Sequence, residues 1–176
     1  MQFDHYQIRL LEQNDARAYF ALIAANRGRL EDFFAGLVSR TRNLEDTAIF
    51  LSEAMEKMEA KTYFPFIVLD MANSHIAGFI DVKNIDWNIP KAELGCFMDQ
   101  QHARQGIARR ALKLVIAHLF ETFGFNKLFL RTHERNSAAR TLAEQCGFEQ
   151  EGTIRRDYKT TNGELVDLLY YGLLKH

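Results

Sequence analysis

The sequence predicts an α/β or α+β domain built on a mixed central sheet. Strand-like segments dominate the middle and the end of the chain, one strand–helix–strand unit spans residues 92–133, and Asn162-Gly163 separates two strand-like runs. A strand that returns through a helix pairs in parallel with a right-handed crossover, whereas a short Asn-Gly turn makes an antiparallel hairpin. One sheet is therefore expected to contain both kinds of pairing.

The first third of the chain is predicted to be mainly helical. Residues 8–12 form a first strand, and Asn14 or Asp15 then caps a helix. Residues 28–40 are predicted as a second short helix. Asn43 caps a third helix, in which apolar residues recur at helical spacing, namely Leu44, Ala48, Leu51, Met55 and Met58.

The remainder of the chain alternates strands and helices. Before the final hairpin, strands are predicted over residues 63–70, 76–85, 92–99 and 127–133. One helix opens after Gly106, and another begins at Asn136 and is stopped by Gly147 in a left-handed cap. The segments between these elements are short, which favours a single domain over residues 1–176.

Composition excludes several classes of protein. A chain of 176 residues that is 47% hydrophobic can bury one core, and a net charge of −1 argues against a dedicated nucleic-acid binder. Cys96 and Cys146 are the only cysteines, too few for a disulfide scaffold or a structural zinc site. We find no secretory leader and no long apolar run, so we expect a cytoplasmic protein without membrane or metal.

Gly106 lies where a polar loop becomes an amphipathic helix. Such a junction offers backbone N–H groups without intrahelical partners, together with the positive end of the helix dipole, and it favours a phosphate. A glycine lets the anion approach the backbone, small Ala108 keeps the next turn open, and Arg104, Arg109 and Arg110 add charge at the rim. The alternative is that Gly106 only eases the loop into the helix.

Two motifs resemble the GNAT superfamily of N-acetyltransferases, which use acetyl-coenzyme A. "AELGCFMDQQHARQGIARRAL" is similar to the strand, R/Q-x-x-G-x-G/A loop and helix whose amides hold the coenzyme A pyrophosphate. Gly106 and Ala108 match the last two marked positions, while Ala103 replaces the usual Arg or Gln. The resemblance implies that the cofactor-binding residues are Arg104, Gln105, Gly106, Ile107, Ala108 and Arg109.

The second motif begins at Asn136. "NSAARTLAEQCGF" resembles the family helix N-x-x-A/S-x-x-L…G-F, in which the asparagine contacts the pantetheine arm or orders the loop beside it. A plain helix N-cap is the alternative, and both roles are compatible. The segments "ANRGRLEDFF" and "EGTIRRDYKTTNGELVDLLYYGLL" resemble the ribosomal-protein alanine/serine N-terminal acetyltransferase subgroup. The implied fold is a GNAT-like mixed sheet of about seven strands, mostly antiparallel with one splayed parallel pair, flanked by helices.

The resemblance also implies the chemistry, which is direct attack of a neutral amine on the thioester. The oxyanion would be stabilised by a backbone N–H near Phe97 or Met98. Three side chains are candidates for the base: Glu93, His133 and Asp167. Each side chain also has a structural alternative. Glu93 is alternatively part of a salt bridge at the strand edge, His133 a capped loop residue and Asp167 a charge on the hairpin.

The usual general acid is missing, because the family tyrosine position is Ala143 and the subgroup serine position is Ala139. The expected acceptor is a primary amine, with a protein N-terminus favoured by the subgroup resemblance. A small amine such as a polyamine or aminoglycoside is the alternative within the enzyme class. A sensor that binds acyl-CoA without transfer is the alternative outside it. A homodimer is compatible with the sequence.

Overall fold

The computed structural model describes residues 1–175 and contains one eight-stranded sheet with helices on both faces. The strands follow the order β1-β2-β3-β4-β5-β6-β8-β7 across the sheet. In chain order they are β1 Gln2–Phe3, β2 Tyr6–Leu10, β3 Phe64–Asp70, β4 His75–Asp86, β5 Lys91–Met98, β6 Lys127–His133, β7 Glu149–Lys159 and β8 Leu165–Leu174. The helices are α1 Ala16–Leu30, α2 Ala35–Ser39, α3 Leu44–Glu59, α4 Ile107–Thr122 and α5 Ser137–Gln145, with short 3₁₀ turns at Gln13–Asp15 and Gln100–His102.

The predicted fold class is confirmed, including the mixed pairing. β5 and β6 pair in parallel through α4, and the other adjacent strands in residues 1–175 pair antiparallel. The sheet has eight strands where about seven were expected, because the two-residue β1 pairs with β2. The first main strand is β2, which begins and ends two residues earlier than the predicted range 8–12.

The two faces of the sheet carry separate cores. Alternate residues of β5 divide between them: Leu94 and Met98 pack with α4, whereas Phe97 packs with α1 and α3. Side chains of a strand alternate between faces, and Glu93 and Phe97 are four residues apart on β5. Glu93 therefore shares the α1–α3 face with Phe97.

The predicted second helix over residues 28–40 is wrong at its start. α1 continues through Gly28 to the buried Leu30, and the chain resumes a helix only at α2. Burial of the Leu30 side chain stabilises the last turn of α1 by more than the low helix propensity of Gly28 destabilises it. Gly28 itself faces open space. The break leaves Phe33 and Phe34 in a non-helical segment beside the sheet.

Local signals set the start of α3 and the end of α5 as predicted, whereas Asp15, at the N-cap position of α1, makes no side-chain capping hydrogen bond. The side chain of Asn43 accepts the backbone N–H of Asp46 at 2.8 Å and caps α3. Gly147 ends α5 with φ 92°, a left-handed conformation that glycine adopts without steric cost. The final hairpin forms at Asn162-Gly163, although five residues separate β7 from β8.

No helix within residues 1–175 has both the length and the apolar character needed to cross a bilayer.

Candidate active site

The central feature of the site is the divergence of β5 and β6. Their parallel pairing covers three rungs and ends at Glu93 opposite Phe129. Beyond that rung β5 stays paired with β4 up to Met98, and β6 stays paired with β8 up to His133. Each strand keeps one neighbour, so the edges that face each other after Glu93 lack backbone partners in the sheet.

The ladder between β4 and β5 decides which amides lie on the open edge. The backbone N–H of Asp99 donates to the carbonyl of Ala77 at 2.8 Å, one residue beyond the last rung of the ladder, Gly78 opposite Met98. Antiparallel hydrogen bonding recurs at every second residue. The Phe97 N–H therefore points to β4, while those of Cys96 and Met98 point into the gap toward β6.

A cavity of about 190 Å³ fills the gap between the two strands. Its wall includes Glu93 from β5, His133 from β6, and Asn136 at the start of α5. The structure thus brings together three residues that were predicted from separate parts of the sequence. Asp167, the third candidate base, does not line this cavity.

Glu93 is buried and held by two donors on one oxygen. The Asn84 side-chain amide and the Arg131 guanidinium both donate to Oε2, at 2.6 and 2.9 Å. Asp157 binds the other end of Arg131 at 2.5 Å. Burial alone would lower the pKa of Arg131, but Glu93 and Asp157 outweigh that effect and raise it. Within residues 1–175, no donor is hydrogen-bonded to Oε1 of Glu93, which leaves that oxygen able to accept a proton.

The hydrogen bond of His133 fixes its tautomer. Nδ1 accepts the backbone N–H of Arg135 at 3.1 Å, and a backbone N–H is always a donor. Neutral His133 must therefore carry its proton on Nε2. In this state the ring offers a donor to the cavity, and its only lone pair is already used.

Asp167 serves the hairpin instead of the cavity. Its carboxylate accepts the backbone N–H of Arg156 at 2.8 Å, beside a register shift between β7 and β8. Arg156 has φ 52°, an unfavourable conformation for a non-glycine residue. Asp167 therefore stabilises a bulged turn of the backbone.

The loop before α4 has the geometry of an anion site. Gly106 is the N-cap of α4 with φ 76°, and no atom lies within 4 Å of where its Cβ would be. The first intrahelical bond is from Arg110 N to Gly106 O. Within residues 1–175, the N–H groups of Ile107, Ala108 and Arg109 have no acceptor. The donors and the open approach suit a diphosphate.

The arginines around this loop are not equivalent. Arg104 adopts φ 61°, so the chain turns sharply just before Gly106. Arg110 was expected at the rim, but its guanidinium binds Asp4 and lies 4.7 Å from the centre of the Phe3 ring. This hydrogen bond from Arg110 lowers the pKa of Asp4. Arg110 therefore ties α4 to the turn between β1 and β2.

Asn136 acts as the predicted helix cap. Its Oδ1 accepts the backbone N–H of Ala139 at 3.1 Å, and the residue also lines the cavity. The cap uses the side-chain oxygen and leaves the amide nitrogen as a donor. Capping and a contact with a ligand in the cavity are thus compatible in one side chain.

Sequence reasoning missed the buried charges on the α1–α3 face. The ammonium of Lys83 lies 3.3 and 3.4 Å from the carboxylate oxygens of Asp81. A Cβ on Gly95 would lie 2.2 Å from that carboxylate, so the glycine makes room for the pair. Burial lowers the pKa of Lys83, but Asp81 and Glu93 together raise it overall. Charged residues two apart in an apolar strand were the available signal.

Two further observations limit the chemistry. Burial raises the pKa of Cys96 to about 12, so this thiol beside the cavity is neutral and a poor nucleophile. Within residues 1–175, no cluster of His, Cys, Asp or Glu side chains has the arrangement of a metal site.

The chain is similar to known acetyltransferases in sequence and structure. Residues 6–149 match the family described as Acetyltransferase (GNAT) domain. The Bacillus subtilis (strain 168) protein named "Putative ribosomal N-acetyltransferase YdaF" is 30% identical over 98% of this chain and 92% of its own length. The solved ribosomal-protein-S5-alanine acetyltransferase from Vibrio fischeri has a TM-score of 0.89 at 23% identity, covering 99% of this chain and 95% of that one. A ribosomal L7/L12 alpha-N-protein acetyltransferase solved with coenzyme A has a TM-score of 0.90 at 15% identity, covering 98% and 95%.

Proposed function

This chain belongs to the GNAT acetyltransferases, and we propose that it transfers the acetyl group of acetyl-CoA to the N-terminal amine of a protein. One observation carries the proposal: the unpaired edge of β5 and the free amides after Gly106 lie on consecutive segments of the chain. A ligand with an amide-containing arm and a diphosphate would satisfy both sets of donors.

The residues of the loop and of α5 would hold acetyl-CoA. The amides from Arg104 to Arg109 would bind the pyrophosphate, and the side-chain amide of Asn136 would donate to the pantetheine arm. The Met98 N–H, which points into the gap, stabilises the oxyanion in preference to Phe97, whose N–H points to β4. Such a donor contributes most in a site that excludes water.

We assign Glu93 as the base that takes the proton of the acceptor amine, directly or through water. Its Oε1 has no protein donor within residues 1–175, and it lines the cavity. His133 is a weaker candidate because its lone pair is occupied by the Arg135 N–H. Asp167 is weaker still, because it binds backbone in the hairpin.

Ala143 and Ala139 occupy the two positions at which the family and the subgroup usually carry a general acid. The coenzyme A thiolate can leave without an enzymic acid, because a thiol is far more acidic than an alcohol or an amine. The neutral thiol of Cys96 makes a covalent acyl-enzyme route less favourable than direct attack. A homodimer stays a prediction.

Release of free thiol from acetyl-CoA tests the function directly. We expect the protein to release thiol when it is given a short peptide with a free N-terminal alanine or serine, and none when that N-terminus is blocked. Binding of acetyl-CoA without release of its thiol, when peptides, polyamines or aminoglycosides are offered as acceptors, would identify the protein as a sensor instead.

Replacing Gly106 with Val tests the pyrophosphate site. We expect acetyl-CoA affinity to fall at least tenfold, about 1.4 kcal/mol, because a branched side chain blocks the approach to the free amides. Isothermal titration calorimetry measures this change. Gly163→Val is the matched control, since Gly163 has φ 89° in the distant hairpin and imposes a similar backbone strain. Equal affinity in both folded variants would contradict the role of Gly106.

Replacing Glu93 with Gln tests the base. The amide oxygen can still accept from Asn84 and Arg131, so we expect unchanged acetyl-CoA affinity and a kcat at least about tenfold lower near pH 7. The deficit shrinks as pH rises, because more of the acceptor amine arrives unprotonated. His133→Gln should lower kcat less than Glu93→Gln does. A near-normal kcat for Glu93→Gln, with a collapse for His133→Gln, would assign the base to His133.

A further inference from the structure

A second and larger cavity adjoins the cavity between β5 and β6. We call it the outer chamber, and its volume is about 540 Å³. It lies between the α1–α2 connection, α3 and the ends of β3 and β4. Four residues line both cavities, namely Phe33, Phe34, Lys83 and Tyr158. The two spaces are therefore adjacent compartments of one cleft.

A direct hydrogen bond closes one side of this cleft. The Tyr158 hydroxyl accepts the backbone N–H of Ala35 at 2.9 Å, and this bond ties β7 to the start of α2. Phe33 and Phe34, in the break between α1 and α2, complete the aromatic boundary. A chain that leaves the inner cavity would pass these rings and enter the outer chamber.

The two compartments differ in charge. The inner cavity is lined by the carboxylates of Asp32, Glu93 and Asp157 against the cations of Lys83 and Arg131. The outer chamber is lined by Arg40, Lys57 and Lys83 against the single carboxylate of Asp81. The excess charge is thus negative where the amine must arrive and positive in the space beyond it.

The cations of the outer chamber are not all neutralised. Lys83 pairs with Asp81, and Arg40 pairs with Glu53, which lies outside the lining. Lys57 is exposed in the last turn of α3 and has no ion-pair partner within residues 1–175. Its ammonium is therefore the cation of the chamber that is free to bind a ligand carboxylate.

A tyrosine of the chamber lining contacts the one carboxylate of that lining. The Tyr63 hydroxyl lies 3.5 Å from the Asp81 carboxylate, and burial with this carboxylate raises the pKa of Tyr63. The Asp81 carboxylate is thus held by both Lys83 and Tyr63.

We propose that the outer chamber selects acceptors whose amine is followed, within the first few residues, by a carboxylate. The inference rests on the proposed function and specifies its substrate as a peptide with an N-terminal amine and acidic side chains nearby. Lys57 is the principal specificity residue. A polyamine places further cations in the positive compartment and is a poor acceptor.

Matched peptides test this selectivity. Four acceptors are compared by thiol release from acetyl-CoA: spermidine and three C-terminally amidated hexapeptides that begin with alanine and carry two Glu, two Gln or two Lys at positions 2 and 3. We expect kcat/KM for the Glu peptide to exceed that for the Gln peptide about tenfold at low salt, with the Lys peptide and spermidine lower still. The preference decreases as salt rises.

Two variants locate the effect. Lys57→Glu should abolish or reverse the preference for the Glu peptide, measured as the ratio of kcat/KM for the Glu peptide to that for the Gln peptide. Lys61→Glu makes the same charge change at an exposed residue outside the chamber lining, and it should keep the preference.

The outcomes separate the two proposals. Equal kcat/KM for the Glu and Gln peptides would overturn the selectivity and leave the acetyltransferase function intact. A preference that persists in Lys57→Glu, or spermidine as the best acceptor, would also overturn it. Thiol release with none of these amines would contradict both the selectivity and the proposed function.

Discussion

The separation of β5 from β6 is the constraint on which the rest of the site depends. The strands pair for only three rungs, because each follows its antiparallel neighbour once past Glu93 and Phe129. The open edges expose backbone donors such as the Met98 N–H to a ligand, and the same gap forms the inner cavity. A buried amide without an acceptor costs free energy. A ligand that accepts hydrogen bonds from these amides therefore stabilises the protein.

Charge pairing links this gap to the acceptor side. Arg131 on β6 joins Glu93 at the last paired rung to Asp157 on the terminal hairpin. The half-buried Lys83 and the buried Asp81 continue the cluster on β4, and Gly95 gives them space. Removing Lys83 is costly, because the buried Asp81 carboxylate then loses its ion-pair partner. The cluster therefore fixes the position of Glu93.

The sequence predicts the parts of the site that depend on local signals. Gly106 and Asn136 were found because a left-handed glycine and a helix cap act within a few residues. The pairing of Arg131 with Glu93 could not be predicted in the same way. The two residues are 38 positions apart in sequence, and their contact depends on the register between β5 and β6. The break at Phe33 was missed because the burial of Leu30, a tertiary effect, extends α1 past a glycine.

Amide hydrogen exchange tests the central claim, that the open edge of β5 receives the pantetheine arm of acetyl-CoA. Exchange of the Cys96, Phe97 and Met98 amides can be followed by NMR with and without saturating coenzyme A. We expect the exchange of the Cys96 and Met98 amides to slow at least about tenfold, whereas that of Phe97, whose N–H already points to β4, changes little. Unchanged exchange at Cys96 and Met98, with binding confirmed by calorimetry, would place the ligand away from the open edge of β5.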